Sequence, residues 1–199
     1  MDNTRTRREE YAEATRAALL ETAGGMFAAE GFHATGIEGI ARAARVTRGA
    51  LYHHFTDKKA LFEALVVELQ EQVALRVRDL ASVERDPLQQ MKVGVAAFLD
   101  ECSEPAYRRL VIEDAPAVLG TRRCREIEDA SAIGLLVAAV AGLKKAGVLN
   151  VANAEVAGRM IGAMICEAAL LMGYAAKPTE LKRQAVKLVS EMVDALRVR

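Results

Sequence analysis

Apolar side chains in the first third of the chain recur every three or four positions. Between Tyr11 and Glu30 the residues Leu19, Leu20, Ala23, Met26 and Phe27 fall on one side of a helical wheel, and "EGFHATG" follows with Gly31 as a stop signal. That spacing predicts a first helix over 11–30. Gly24 and Gly25 lie inside it, each costing about 1 kcal/mol relative to alanine, so the helix depends on tertiary contacts. In "GIEGIARAARV" the residues Ile37, Ile40, Ala41 and Ala44 share a face, and in "VTRGALYHHF" Leu51 and Phe55 stand four apart. Two short helices joined by a tight turn are predicted, with Thr47 capping the second and Thr56 or Asp57 capping what comes next.

What comes next is "KKALFEALVVELQEQVALRVRDLASVE", 58–84, a run free of glycine and proline that stops before Pro87 and reads as one long rod. Five further helical segments follow, punctuated by Pro87, Pro105, Pro116, Gly120, Gly147 and Pro178. The count is about nine helices. No repeat of fixed period and no sustained two-residue alternation interrupts them, so the fold class is all-α. Composition agrees: 52% of residues are hydrophobic but only 5% are aromatic, with no tryptophan and many helix formers.

Lys plus Arg and Asp plus Glu each number 27, so bulk charge points to neither nucleic acid nor an anionic membrane. The three cysteines, Cys102, Cys124 and Cys166, are widely spaced and odd in number, which suits reduced thiols rather than a disulfide framework. The start, "MDNTRTRREEYAEATR", is polar and carries acids, unlike an export signal. The apolar windows beginning at 132 and 160 are too short, or contain Glu167, and read as buried helices rather than membrane spans.

Charge is instead local. From Arg42 to Lys59, five basic residues face Asp57 alone, a net +4, while residues 1–60 together carry nine basic and eight acidic side chains. On a helix opening at Arg48, Leu51 and Phe55 point one way while the pairs Arg48/Tyr52 and Gly49/His53 point the other. Two short helices around a tight turn, the second with cations and hydrogen-bonding groups on its free face, form a helix-turn-helix suited to a DNA major groove.

The run "ATGIEGIARAARVTRGALYHHFTDKKALFEAL", with "EGFHAT" before it and "ALYHHF" and "DKKAL" in order, resembles the DNA-binding segment of the TetR family of bacterial transcriptional regulators over about residues 15–65. The remainder resembles that family in length and helical layout only. The resemblance implies that Arg48 and Gly49 approach base edges and that His53 does so or touches the backbone. It implies that Tyr52, Lys58, Thr35 and Thr47 hold phosphates, with His54 either completing the small core or reaching a phosphate. Two positions depart from the family pattern. Arg45 stands where the turn usually has glycine, and either the turn adjusts or Arg45 adds a backbone contact; Gly36 replaces a Ser or Thr that could cap the first helix of the motif.

Other chemistry lacks its reagents. No histidine occurs after His54, so hydrolase triads have no base, and phosphate-binding glycine loops and Glu-x-x-His pairs are missing. Adjacent His53 and His54 diverge on a helix, and His33 has no cysteine at ligand spacing, which argues against a metal; no cofactor is expected. Phe98, Tyr107 and Cys166 are candidates to line an effector cavity among the central helices, with core packing as the alternative for each. Glu113 or Asp114 either orients a ligand or forms ion pairs. Ala154, Gly158, Gly162 and Cys166 repeat at spacing four, a stripe that permits close helix approach within the chain or across a two-fold axis. The resemblance favours a homodimer whose last two helices and their mates form a four-helix bundle.

The expectation is therefore a cytoplasmic, non-enzymatic transcriptional regulator: a DNA-binding domain at 1–57, and an effector-binding and dimerisation domain at 58–199. Its partners would be a double-stranded operator, a second copy of itself and a small-molecule effector that releases it from DNA, as a repressor. Two rivals stand beside it: an all-α small-molecule carrier or enzyme whose N-terminal motif is structural, and a DNA-binding regulator that answers to a protein partner.

Overall fold

In the computed structural model, which describes residues 7–198, the chain folds into helices around two hydrophobic cores. The polar first residues, read above as unlike an export signal, lie in part outside that range. The helices are α1 (Arg7–Glu30), α2 (Ile37–Ala43), α3 (Arg48–His54), α4 (Lys58–Ala81) and α5 (Pro87–Ser103), then α6 (105–119), α7 (Thr121–Asp129), α8 (Ala132–Lys145), α9 (Ala154–Tyr174) and α10 (Pro178–Ala195). Among the described residues ten helices replace the expected nine, because the segment after Gly120 breaks at Ala130 and Ser131. There the amides of both residues, and the Ser131 hydroxyl, turn back to carbonyls of Ile127 and Glu128. An isolated two-residue bridge, Leu149 to Arg197, ties the end of the chain to the loop before α9.

The first core gathers Leu19, Leu20, Ala23 and Phe27 of α1, Ile40 and Ala41 of α2, Leu51 of α3, and Leu61, Phe62, Leu65 and Val66 from the first half of α4. Phe27, Phe32 and Phe62 form its aromatic centre, with Phe62 edge-on to Phe27 at 5.3 Å between centroids. Gly31, at φ +84, ends α1 in a left-handed conformation that a side chain resists. Asp57 caps α4, its carboxylate accepting from the Ala60 amide at 2.7 Å. The same helix continues into the second core, where Val73 and Val77 join residues of α5, α8 and α9 and the helix packs against α5 and α8. One rod is thus anchored at one end in each core.

The sixth helix is a second link. Its central turn, Arg108–Asp114, is π-helical and ends two residues before Pro116, whose missing amide interrupts an α ladder. Bonding five residues apart brings Arg108 beside Glu113 (3.5 Å) and Arg109 beside Asp114 (3.3 Å), so both acids are engaged in ion pairs. Leu110 and Ala115 of this helix belong to the first core and Tyr107 to the second.

The small-residue stripe of α9 is used within the chain. A methyl group at Gly158 would lie 2.8 Å from the Val137 Cα of α8, and one at Gly162 would strike Ile133. Backbone approach to α8, and not a two-fold axis, is what these glycines serve. Among the described residues α9 is the one helix long and apolar enough to cross a membrane, but its Ile161, Ile165, Ala169 and Met172 are buried in the second core.

Candidate nucleic-acid interface and effector cavity

The turn between α2 and α3 carries the geometry of the site. Val46 N–H donates to the Ala41 carbonyl at 3.0 Å and Arg45 N–H to the Arg42 carbonyl at 3.1 Å, closing α2 with paired backbone bonds. That closure requires a left-handed residue, and Arg45 supplies it at φ +57. The turn has not adjusted to the missing glycine; Arg45 accepts the strain, about 1 kcal/mol, with its side chain exposed. Arg45→Gly is accordingly expected to raise the unfolding free energy by up to about 1 kcal/mol in urea denaturation. An unchanged or lower midpoint would show that the left-handed position carries no penalty.

Gly36 precedes α2 in extended backbone and offers no side-chain cap. Thr47 caps α3 as its position predicts, accepting from the Ala50 amide at 3.1 Å, and its exposed hydroxyl keeps a proton to donate. With Leu51 almost fully buried and Phe55 behind it, the face bearing Arg48, Gly49, Tyr52 and His53 turns to solvent. Arg48 reaches Glu38 at 2.9 Å and lies 5.5 Å from the centre of the Tyr52 ring. Nothing crowds Gly49, where an added methyl would come no nearer than 4.0 Å to the Thr47 hydroxyl, so another surface can approach the backbone. His54 is half-buried. Burial first, then His53 and Arg16, holds its pKa below the ordinary histidine value, which favours the neutral ring.

Two expected phosphate ligands are placed elsewhere. Thr35 is fully buried, its hydroxyl donating to the Gly31 carbonyl at 2.9 Å and its amide to the same oxygen at 3.3 Å. It locks the α1–α2 loop and has no group to offer a phosphate. Lys58 folds inward, its ammonium donating to the carbonyls of Phe32 at 2.8 Å and Thr35 at 3.0 Å, close to His33, and lying 4.4 Å from the centre of the Phe32 ring. The last turn of the loop binds this cation as a helix end would. Lys59 and Arg42, both exposed, face outward with Arg45 and Arg48, and the place of Lys59 follows from helical spacing once Lys58 is known to point in.

In the second core a cavity of about 210 Å³ opens between α4, α5, α8 and α9. Phe98 lines it and is also part of the second core. Tyr107 and Cys166 do not: Tyr107 is buried in the core, and Cys166 meets the Cys102 thiol, a contact that with burial pushes Cys102 well above the ordinary thiol range. Desolvation raises the Tyr107 phenol in the same way. All three cysteines are free thiols. Sequence reasoning missed Val77, Met91, Gly94 and Leu136 as lining, because a core helix shows the same apolar period whether its neighbour is a side chain or a void.

The outer face of α9 and α10 is apolar and open. Met160, Leu171 and Leu188 are each more than half exposed along a groove that also contains Ala163, Leu181 and Ala185.

Comparison with known proteins follows the same division. Residues 19–65 match the family description "Bacterial regulatory proteins, tetR family", and residues 88–196 match "Tetracyclin repressor-like, C-terminal domain". The chain is 35% identical over 79 residues to the HTH-type transcriptional regulator UidR of Escherichia coli K12, covering 40% of this chain and 38% of the relative. It is 32% identical over 117 residues to the HTH-type transcriptional repressor KstR2 of Mycobacterium tuberculosis H37Rv, covering 57% and 58%. These matches span less than two thirds of either relative. A TetR-family transcriptional regulator from Pectobacterium atrosepticum superposes over 98% of this chain and 99% of its own with TM-score 0.76 at 29% identity.

Proposed function

Because the chain belongs to the TetR family of bacterial regulatory proteins, we propose that it is a sequence-specific transcriptional repressor that leaves its operator when a small molecule enters the cavity of the second core. The observation that carries this reading is α3: a short helix buried through Leu51 on one face and presenting Arg48, Gly49, Tyr52 and His53 together on the other. Arg48 and Gly49 meet base edges; Tyr52, Thr47, Arg45 and Lys59 hold the flanking phosphates; His53 and His54 stand between the two roles. The DNA-binding unit ends at about residue 57, where Asp57 caps α4. Two copies pair through the outer faces of α9 and α10, and the protein acts in the cytoplasm, where the DNA is.

Effector release follows from linkage. A ligand among α4, α5 and α8 contacts the far half of the helix whose first half packs against α1, which in turn packs against α3. Tilting α4 changes the separation of the two reading heads. Coupling of this kind amounts to about 1 to 3 kcal/mol, and operator must weaken effector binding by the same factor.

Selection of bound duplexes from random DNA by the intact protein tests the reading. The expected winner is an inverted repeat whose half-site centres lie about one helical turn, 34–36 Å, or a multiple apart. Enrichment of no sequence over the starting pool would instead favour a carrier or enzyme with a structural N-terminal motif.

A further inference from the structure

We propose that the ligand of the cavity is a small hydrophobic carboxylate, its apolar body among the central helices and its anionic end on Arg78; this rests on the effector reading above and adds the chemical class. The walls are aliphatic and aromatic, with Val77 from α4, Met91, Val95 and Phe98 from α5, Leu136 from α8 and Ile165 from α9. No acidic side chain lines the space, and its charged residue is Arg78, with Ser82 and Gln90 as the neutral polar groups. An amine entering here finds no carboxylate on the wall and meets a guanidinium. A neutral apolar molecule fills the space but leaves the cation unused.

Arg78 is placed to change partners. It is more than half exposed at the rim, and its Nε and Nη2 both donate to a single oxygen of the adjacent Asp79, at 3.1 and 3.0 Å. An exposed pair of this sort contributes little, and the donors on the other side of the guanidinium suffice for a planar carboxylate. Volume sets the size: 210 Å³ corresponds to about seven waters at liquid density, so the guest has roughly seven to ten non-hydrogen atoms. Arg78 also stands in the last turn of α4. A carboxylate held there pulls on the helix that reaches the reading head, which gives the head group leverage that the apolar tail lacks.

Isothermal titration of the intact protein with octanoate, octan-1-ol and octylamine separates the alternatives, alongside operator binding by the ligand-free protein. The expected result is that octanoate binds at least about tenfold more tightly than octan-1-ol and that octylamine does not bind. Arg78→Gln should lower octanoate affinity about tenfold while leaving octan-1-ol unchanged. Gly94→Val, which projects into the space from α5, should weaken both. Equal binding of the three probes, binding by none of them, or an octanoate affinity indifferent to Arg78→Gln overturns the assignment. None of those results touches the DNA-binding reading, which stands or falls on operator binding without ligand.

Discussion

Arg48→Ala is expected to lower affinity for the selected operator by about ten- to a hundredfold while leaving binding to random duplex within about threefold. A base-edge contact of this type discriminates by about 1 to 3 kcal/mol, whereas loss of a phosphate contact would weaken all sequences alike and reduce the salt slope by about 0.9. In the free protein Arg48 is paired with Glu38 at 2.9 Å, but both side chains are well exposed, and such a pair contributes at most about 1 kcal/mol. On the proposed reading a groove is expected to draw Arg48 away from the acid. Fluorescence anisotropy at two or more salt concentrations, with helix content checked by circular dichroism, distinguishes the cases. Unchanged specific affinity would remove α3 from the interface; a uniform loss with a shallower salt slope would move Arg48 from bases to backbone.

Why Arg48 was readable from the chain and Lys58 was not is a matter of distance along it. Helical period alone sends Leu51 and Phe55 inward and Arg48 and Tyr52 outward, because those residues share one helix and its fixed rotation. Caps are equally local: Thr47 and Asp57 each bond an amide three residues on. Lys58 is decided by carbonyls 23 and 26 positions earlier, and Thr35 by the end of α1, contacts that exist only once the first core has closed. The glycine stripe shows the same limit. Spacing four marks Gly158 and Gly162 as a close-approach face, but which helix approaches depends on the break at Ala130 and Ser131 that creates α8 as a separate element. Arg45 is the reverse case, where a departure from a familiar pattern predicted strain and the strain is present at φ +57.

Met160→Asp combined with Leu188→Asp is expected to convert a dimer into a monomer and to cost at least a hundredfold in operator affinity. Both side chains lie on the outer face of α9 and α10, 64% and 57% exposed, on opposite walls of the apolar groove. In a two-fold interface each new carboxylate is duplicated by the symmetry, so four charges are added to a face whose one charged lining residue is Glu167. Folding should survive, because neither residue belongs to a core and the glycine stripe that holds α9 to α8 faces away. The DNA effect follows from valency. Once one reading head is bound, the second acts at an effective concentration set by the rigid body between them, and avidity gains of about a hundred- to ten-thousandfold vanish when the link is cut. Light scattering reports the mass, and titration of a half-site duplex supplies the control: affinity for one half-site should be the same in wild type and variant, since α3 is untouched. A monomer that still binds the full operator at wild-type affinity would mean that pairing happens on DNA through some other face. A variant that remains dimeric would place the two-fold axis elsewhere on the molecule, with the exposed Leu75 and Leu80 of α4 and Val83 just beyond its end as the next apolar residues to charge.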